Sequence, residues 1–170
     1  EGRAASRRLL ALGLREVWGV ENVPPMERGP MGKPFSPAMP HIHFNLSHSG
    51  DLALCALSDR PVGVDIERVR PHRAGLPRYA LSDREYRWFL AQGGGWELFC
   101  RLWTRKESWV KRTGGSIAGP SGICPPLPGE QAEGVLLDDF SGAGWRAAVC
   151  AAGAPAWKLL WRDHAEAYKT

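Results

Sequence analysis

The chain has 170 residues, of which 44% are hydrophobic and 24% are charged, so it is predicted to form one ordinary globular domain rather than a disordered or fibrous chain. Its formal net charge of +4 suits an anionic ligand or an acidic protein partner. No basic stripe interleaved with aromatic residues is present, which argues against a nucleic-acid partner. No apolar run reaches membrane-spanning length, which argues against a membrane partner.

The first predicted element is a helix over residues 3–18, because Leu10 and Leu14 lie on one apolar face and Gly19 can end it. A loop rich in proline and glycine follows at residues 23–40. Three strand-like runs come next, at residues 41–47, 52–57 and 62–67. The turns between them are short, which favours an antiparallel meander.

In the second part of the chain, residues 82–85 form a capping box that opens a helix ending near Leu90. After three glycines, a longer helix is predicted from Trp96 to Arg112. Further strands are predicted at residues 134–137, 145–152 and 157–161. Residues 52–56 and 147–151 are similar in sequence, and either chance similarity between buried strands or two related α+β halves would explain this.

The cysteines Cys55, Cys100, Cys124 and Cys150 are widely scattered, and no Cys-x-x-Cys pair indicates a zinc ribbon or a redox site. Cys55 and Cys150 lie in apolar, strand-like runs, which favours free thiols in a reducing compartment. We therefore expect a cytoplasmic protein.

Two carboxylates, Asp65 and Glu67, share one face of the strand at residues 62–67, because side chains alternate along a strand. Same-face neighbours lie about 6–7 Å apart, so both can reach one Mg²⁺, which prefers oxygen ligands. Alone, the pair is explained more simply by a solvated strand face. Gly63 on the same face would leave room for a bulky ligand or mark a bulge.

On the helix, Trp103, Glu107 and Lys111 are spaced at i, i+4 and i+8 and share one face. Alone, Glu107 and Lys111 are explained as a surface ion pair. The segment Ser47-His48-Ser49-Gly50 ends a strand, and its hydroxyls, imidazole and turn amides could hold a phosphate. A hairpin turn with satisfied backbone groups explains that segment equally well.

The motifs at residues 44–49, 62–67 and 103–111, taken in this order, closely resemble the 4′-phosphopantetheinyl transferases of the larger, surfactin-activating type. Residues 32–34 and 145–150 also match. The resemblance implies holo-acyl-carrier-protein synthase activity: Mg²⁺-dependent transfer of 4′-phosphopantetheine from coenzyme A to a serine of an apo acyl or peptidyl carrier protein. Adenosine 3′,5′-bisphosphate would be released.

The same resemblance implies roles for individual residues. The metal ligands would be Asp65, Glu67 and Glu107. Glu107 would also help to deprotonate the carrier serine, and Lys111 would contact the reacting phosphate. The remaining coenzyme A contacts would be Lys33, Ser47, His48 and, through a loose alignment, Arg8.

The implied fold is α+β, with two similar halves forming a pseudo-dimer, each a small antiparallel sheet packed with helices. We expect a single domain over residues 1–170, with halves of about 1–80 and 81–170. A monomer is expected because the pseudo-dimer interface is internal. The family's additional N-terminal strand and helix are expected to be absent, and the carrier protein is expected to dock near residues 68–90.

Two other functions are compatible with the same residues. One is a different Mg²⁺-dependent phosphoryl-transfer enzyme, such as a nuclease or a phosphatase, although a nuclease should be more basic than +4. The other is a non-catalytic module that binds coenzyme A or a carrier protein, which would have no need of Glu107.

Overall fold

The computed structural model describes residues 2–153, 160 and 162. Its helices are α1 (Gly2–Trp18), α2 (Leu76–Ala80), α3 (Asp83–Ala91) and α4 (Trp96–Thr113), with a short 3-10 turn at Pro120–Gly122. Its strands are β1 (Glu27–Arg28), β2 (Pro34–Phe35), β3 (His43–Ser49), β4 (Leu52–Ser58), β5 (Val62–Arg68), β6 (Val135–Gly142) and β7 (Trp145–Ala152). Among these residues, no helix combines the length and the apolarity needed to cross a bilayer.

The strands form small antiparallel sheets packed with helices, so the α+β prediction is confirmed. β1 pairs with β2, β3 pairs with β4, and β7 lies between β5 and β6. Backbone pairing therefore joins β5, from the predicted first half, to β7, from the predicted second half. The similarity of two halves stays a prediction.

The predicted meander is wrong at its third strand. β3 and β4 form the expected hairpin, but β5 pairs with β7 and not with β4. The turn at residues 59–61 carries the chain out of the first sheet. One face of β5, with Val62 and Val64, packs against Ala56 of β4 and Val149 of β7. This apolar contact between sheets replaces the backbone pairing that the short turn suggested.

The long helix α4 lies against the other face of β5 and against β7. Its apolar residues Phe99 and Leu102 are buried with Phe89 of α3 in one core cluster. Gly114 ends the helix in the left-handed conformation, with φ 76°. α1 packs against the β3–β4 hairpin, where Leu10 and Leu14 join a second cluster.

Most predicted elements agree with the structure within a residue or two. The capping box at Ser82 and Glu85 is formed, with each side chain bonded to the other residue's backbone N–H. β6 extends beyond its predicted end at Leu137 because pairing with β7 continues past Asp138 and Asp139, which are poor strand formers. The predicted loop at 23–40 includes the short β1–β2 pair. The strand predicted at 157–161 lies outside the described residues, apart from residue 160.

Candidate active site

The site is built where α4 crosses β5, and Gly63 permits their close contact. A Cβ atom at Gly63 would lie 2.1 Å from the carbonyl oxygen of Ser108 and 2.3 Å from the backbone nitrogen of Arg112. Both distances are shorter than any real Cβ contact, so only glycine fits. The space beside Gly63 is therefore filled by the helix, and neither the predicted ligand cavity nor a bulge is present there.

Close contact between helix and strand brings the predicted charged residues together. Nζ of Lys111 lies 2.7 Å from Oδ1 of Asp65 and 3.6 Å from Oε2 of Glu107. The Asp65 side chain is only 5% exposed, whereas those of Glu107 and Lys111 are 16% and 29% exposed. Glu67, which is half-buried at the end of β5, lies within the electrostatic reach of all three. The strand and helix motifs thus form one cluster.

This cluster carries an excess of negative charge. Three carboxylates and one ammonium group give a net charge of −2 when all four are ionised. Burial raises the pKa of Glu67, and the neighbouring charge of Asp65 raises it further. Burial also raises the pKa of Glu107, against the opposing effect of Lys111. Burial alone would lower the pKa of Lys111, but Asp65 and Glu107 raise it above its ordinary value.

The residues present fit a divalent cation. Oδ2 of Asp65 is buried and has no hydrogen-bond partner, and a buried carboxylate oxygen without a partner is costly. The excess negative charge and the all-oxygen set of donors are what Mg²⁺ prefers. As they stand, no three histidine, cysteine, aspartate or glutamate side chains among the described residues are arranged to hold a metal ion. Lys111 instead contacts Asp65, so a cation would have to displace that contact.

Serine hydroxyls from β3 orient two of the carboxylates. Oγ of Ser47 donates to Oδ1 of Asp65 and Oγ of Ser49 donates to Oε2 of Glu67, both at 2.8 Å. Ser47 was predicted to hold coenzyme A, and the structure places its buried hydroxyl beside Asp65. The direct role of Ser49 was missed by sequence reasoning. The signal was the spacing of Asn45, Ser47 and Ser49, which places all three polar side chains on one face of β3.

Lys33 lies beside the C-terminus of α4. Its Nζ donates to the carbonyl oxygens of Val62, Lys111 and Arg112, at 2.8, 2.7 and 3.0 Å. An ammonium group has three hydrogens, so these bonds use all of them. Burial, with a smaller effect of Arg112, lowers the pKa of Lys33 to about 8. In this arrangement Lys33 caps the helix, and its predicted contact with the nucleotide stays a prediction.

The remaining predicted contacts to coenzyme A lie on the surface. His48 is exposed and follows Ser47, so its side chain points away from the carboxylates. Its imidazole lies close to Gly2, at the start of α1. Arg8 is also exposed on α1. The structure therefore gathers Asp65, Glu67, Glu107 and Lys111, with Ser47 beside them, and places His48 and Arg8 outside that cluster.

Two cavities lie elsewhere, on the β6 side of α4. Their volumes are about 650 and 500 Å³, and Arg101 and Asp139 line both. None of the clustered residues Asp65, Glu67, Glu107 and Lys111 lines either one. Arg101 and Arg105 are both bonded to Asp139 there, an arrangement that fastens α4 to β6.

The chain was also compared with known proteins. A family model described as the 4′-phosphopantetheinyl transferase superfamily matches residues 61–149, which is more than half of the 170 residues. The matched range begins just before β5, includes all of α4 and ends within β7. It therefore contains the whole cluster of carboxylates and lysine.

Individual relatives carry the same family name. The 4′-phosphopantetheinyl transferase Sfp of Bacillus subtilis (strain 168) is 37% identical over 91 residues, which are 52% of this chain and 41% of Sfp. For psf-1 of Bacillus pumilus the identity is 40% over 89 residues, covering 51% and 38% of the two chains. For AcpT of Salmonella typhimurium it is 42% over 99 residues, covering 55% and 52%.

In each case the matched segment spans about half or less of the relative's own length. The family assignment therefore rests on the segment that contains the site. Since the family model covers both the strand and the helix whose contact creates the charged cluster, the chain belongs to the 4′-phosphopantetheinyl transferase superfamily.

Proposed function

We propose that this protein transfers 4′-phosphopantetheine from coenzyme A to a serine of an apo acyl or peptidyl carrier protein. The observation that carries the proposal is the convergence of Asp65, Glu107 and Lys111 where α4 crosses β5. Phosphoryl transfer depends on positioning and charge neutralisation more than on covalent help from the protein. A cluster with acidic, cation-binding side chains and a lysine is suited to both.

The metal would be held by Asp65, Glu67 and Glu107. When bound, Mg²⁺ supplies charge neutralisation for the pyrophosphate of coenzyme A. The buried, unpartnered oxygen of Asp65 supports this assignment. The ammonium of Lys111, once it leaves Asp65, is available to a phosphate oxygen.

In the proposed reaction, the carrier serine oxygen forms a bond to the pantetheine-side phosphorus of coenzyme A. The bond from that phosphorus to the bridging oxygen breaks, and adenosine 3′,5′-bisphosphate leaves. Glu107 accepts the serine proton, directly or through water, and its raised pKa makes it a better base than an ordinary carboxylate at neutral pH. Lys111 stabilises the charge that develops on the phosphate.

The adenosine end of coenzyme A would be bound by Ser47, His48, Lys33 and Arg8. Ser47 and Lys33 already have partners, in Asp65 and in the end of α4. Their contact with the nucleotide would therefore require a rearrangement. His48 is exposed on β3, and Arg8 is exposed on the neighbouring helix α1.

The carrier protein would dock on residues 68–90. Five arginines in this segment are exposed, namely Arg70, Arg73, Arg78, Arg84 and Arg87. The aromatic side chain of Tyr79 is also 64% exposed between them. A basic surface suits a carrier that is acidic around its serine. We also propose a monomer in the cytoplasm, where the free cysteines of the described chain would stay reduced.

Two alternatives remain to be tested against this proposal. Another Mg²⁺-dependent phosphoryl-transfer enzyme could use the same carboxylates, but membership of the family favours the transferase. A non-catalytic module for coenzyme A or a carrier protein would not need Glu107 as a partly buried general base.

The decisive experiment is intact-mass spectrometry of an apo carrier protein incubated with this chain, coenzyme A and Mg²⁺. Phosphopantetheinyl transfer to the serine adds about 340 Da to the carrier. We expect that shift, and we expect it to disappear with EDTA. No shift with several different carriers, together with measurable binding of coenzyme A, would support the binding module instead.

A further inference from the structure

The hydroxyl group of Ser49 has a defined direction. Its oxygen accepts a hydrogen bond from the backbone N–H of Arg68, at 3.1 Å. Its own hydrogen is donated to Oε2 of Glu67, at 2.8 Å. Because a hydroxyl has one hydrogen to give, and the N–H must meet a lone pair, the two bonds together orient the hydroxyl toward the carboxylate.

This contact is part of a repeated pattern between β3 and β5. Oγ of Ser47 accepts from the backbone N–H of Ile66 and donates to Asp65. Oδ1 of Asn45 accepts from the backbone N–H of Val64. Residues 45, 47 and 49 thus bond residues 64, 66 and 68 in turn. The two strands run in the same direction here, and side chains take the place of a backbone ladder.

A contact between the side chains of Arg68 and Asp51 lies at the end of this pattern. Arg68 donates two hydrogen bonds, of 2.9 and 2.7 Å, to the carboxylate of Asp51 in the turn between β3 and β4. The end of β5 is therefore tied to the hairpin both through Ser49 and through Asp51. Ser49 itself pairs with Leu52 of β4 and accepts from the backbone N–H of Arg68, so its hydroxyl is fixed where it can orient Glu67.

Glu67 needs such a contact more than Asp65 does. Asp65 is buried and its Oδ1 is bonded from two sides, by Ser47 and by Lys111. Glu67 has a longer side chain with more rotamers and is only half-buried. A hydrogen bond to its carboxylate restricts the rotamers of Glu67 in advance. Less conformational entropy is then lost when the side chain binds a metal ion.

We propose that Ser49 is a positioning residue, whose hydroxyl orients the carboxylate of Glu67 for a divalent cation shared with Asp65. This inference rests on the proposed metal site. Residues that hydrogen-bond a metal ligand usually contribute about 10–100-fold to metal affinity. Ser49 acts through Glu67, so its removal changes cation binding before it changes the chemistry.

The test is binding of Mn²⁺ to the free protein, followed by electron paramagnetic resonance, with and without coenzyme A. We expect Ser49→Ala to weaken Mn²⁺ binding about tenfold. Ser49→Thr keeps a hydroxyl at the same atom and suits a strand, so it should restore the affinity. In transfer assays, Ser49→Ala should raise the Mg²⁺ concentration needed for half-maximal rate more than it lowers the rate at saturating Mg²⁺.

Ser36→Ala provides the matched control. Ser36 is buried, and its hydroxyl donates to the carbonyl oxygen of Pro25, at 3.1 Å, away from the carboxylates. It should change thermal stability without changing Mn²⁺ affinity. A general loss of stability in Ser49→Ala is thereby distinguished from a loss of Glu67 orientation.

Asp65→Asn separates failure of this inference from failure of the proposed site. If Asp65→Asn abolishes Mn²⁺ binding and Ser49→Ala leaves it unchanged, the positioning role is overturned and the metal site stands. If Ser49→Thr binds Mn²⁺ as weakly as Ser49→Ala, packing rather than the hydroxyl matters and the inference also fails. If wild-type protein does not bind Mn²⁺, or Asp65→Asn binds it normally, both the site and the inference are wrong.

Discussion

Gly63 of β5 lies directly against the backbone of Ser108 in α4, so closely that a Cβ atom would be 2.1 Å from the Ser108 carbonyl oxygen. This contact sets the depth at which the helix lies on the sheet. Lys111 is one helical turn beyond Ser108, and Asp65 is two residues beyond Gly63. The distance between the two charged groups therefore depends on a residue without a side chain.

The first prediction concerns Gly63→Ala. The added methyl group must push α4 away from β5, because it would meet backbone atoms that cannot rotate aside. Overpacking of this kind costs about 1–3 kcal/mol, which chemical denaturation would measure. Transfer activity should fall together with stability. Gly122→Ala is the control, since a Cβ atom there would meet nothing within 4 Å, and an unchanged stability in Gly63→Ala would contradict this account of the contact.

The second prediction concerns the buried ion pair between Lys106 and Glu85. The side chains are 0% and 3% exposed, and Lys106 also donates to the carbonyl oxygen of Ile123. Removing one partner of a buried pair costs about 3–5 kcal/mol, because the other charge is left without compensation. We expect Lys106→Met to lower the free energy of unfolding by that amount.

A double-mutant cycle checks the origin of this loss. Glu85→Gln removes the charge but keeps a side-chain oxygen that can accept from the backbone N–H of Ser82, as the Glu85 carboxylate does. The double variant Glu85→Gln/Lys106→Met should lose clearly less free energy of unfolding than the two single variants lose in sum. Strict additivity of the two losses would show that the charges do not interact.

The third prediction separates the two roles of Lys33. Lys33→Met removes three hydrogen bonds, to the C-terminus of α4 and to the first residue of β5. A half-buried cap of this kind should contribute about 1–2 kcal/mol to stability, which denaturation would measure. Arg28→Met is the control, because the hydrogen bond of its guanidinium goes to the carbonyl oxygen of Gly32, four residues along the chain. A loss of coenzyme A affinity without a loss of stability would instead support the nucleotide contact.

The fourth prediction concerns Asp65→Asn. The amide keeps the shape of the side chain but removes the charge that a cation requires, so we expect the transfer rate to fall at least about a hundredfold. Circular dichroism should show an intact fold. Asp138→Asn, at an exposed position of β6, should keep the wild-type rate. Comparable rates in the two variants would remove Asp65 from the proposed metal site.

The elements that sequence reasoning placed well are those with strong local signals. The capping box at Ser82, the apolar periodicity of α4 and the apolar run of β7 depend on neighbours in the sequence. The charged cluster was also predicted, because the motifs of β5 and α4 occur in the order that the family shows.

The features that were missed depend on contacts between distant residues. The pairing of β5 with β7 could not be deduced from a short turn, since the turn constrains only the chain and not the partner strand. The role of Gly63 depends on a helix about 45 residues later in the chain. Lys33 resembles any loop lysine until the end of α4 is placed beside it.

The side-chain hydrogen bonds between β3 and β5 also have an evolutionary consequence. A backbone ladder holds two strands together whatever their side chains are, but here each bond depends on the identity of Asn45, Ser47 or Ser49. Single substitutions can therefore loosen or shift the joint between the two sheets one step at a time. Because the same hydroxyls contact Asp65 and Glu67, selection acting on this joint also adjusts the acidic cluster.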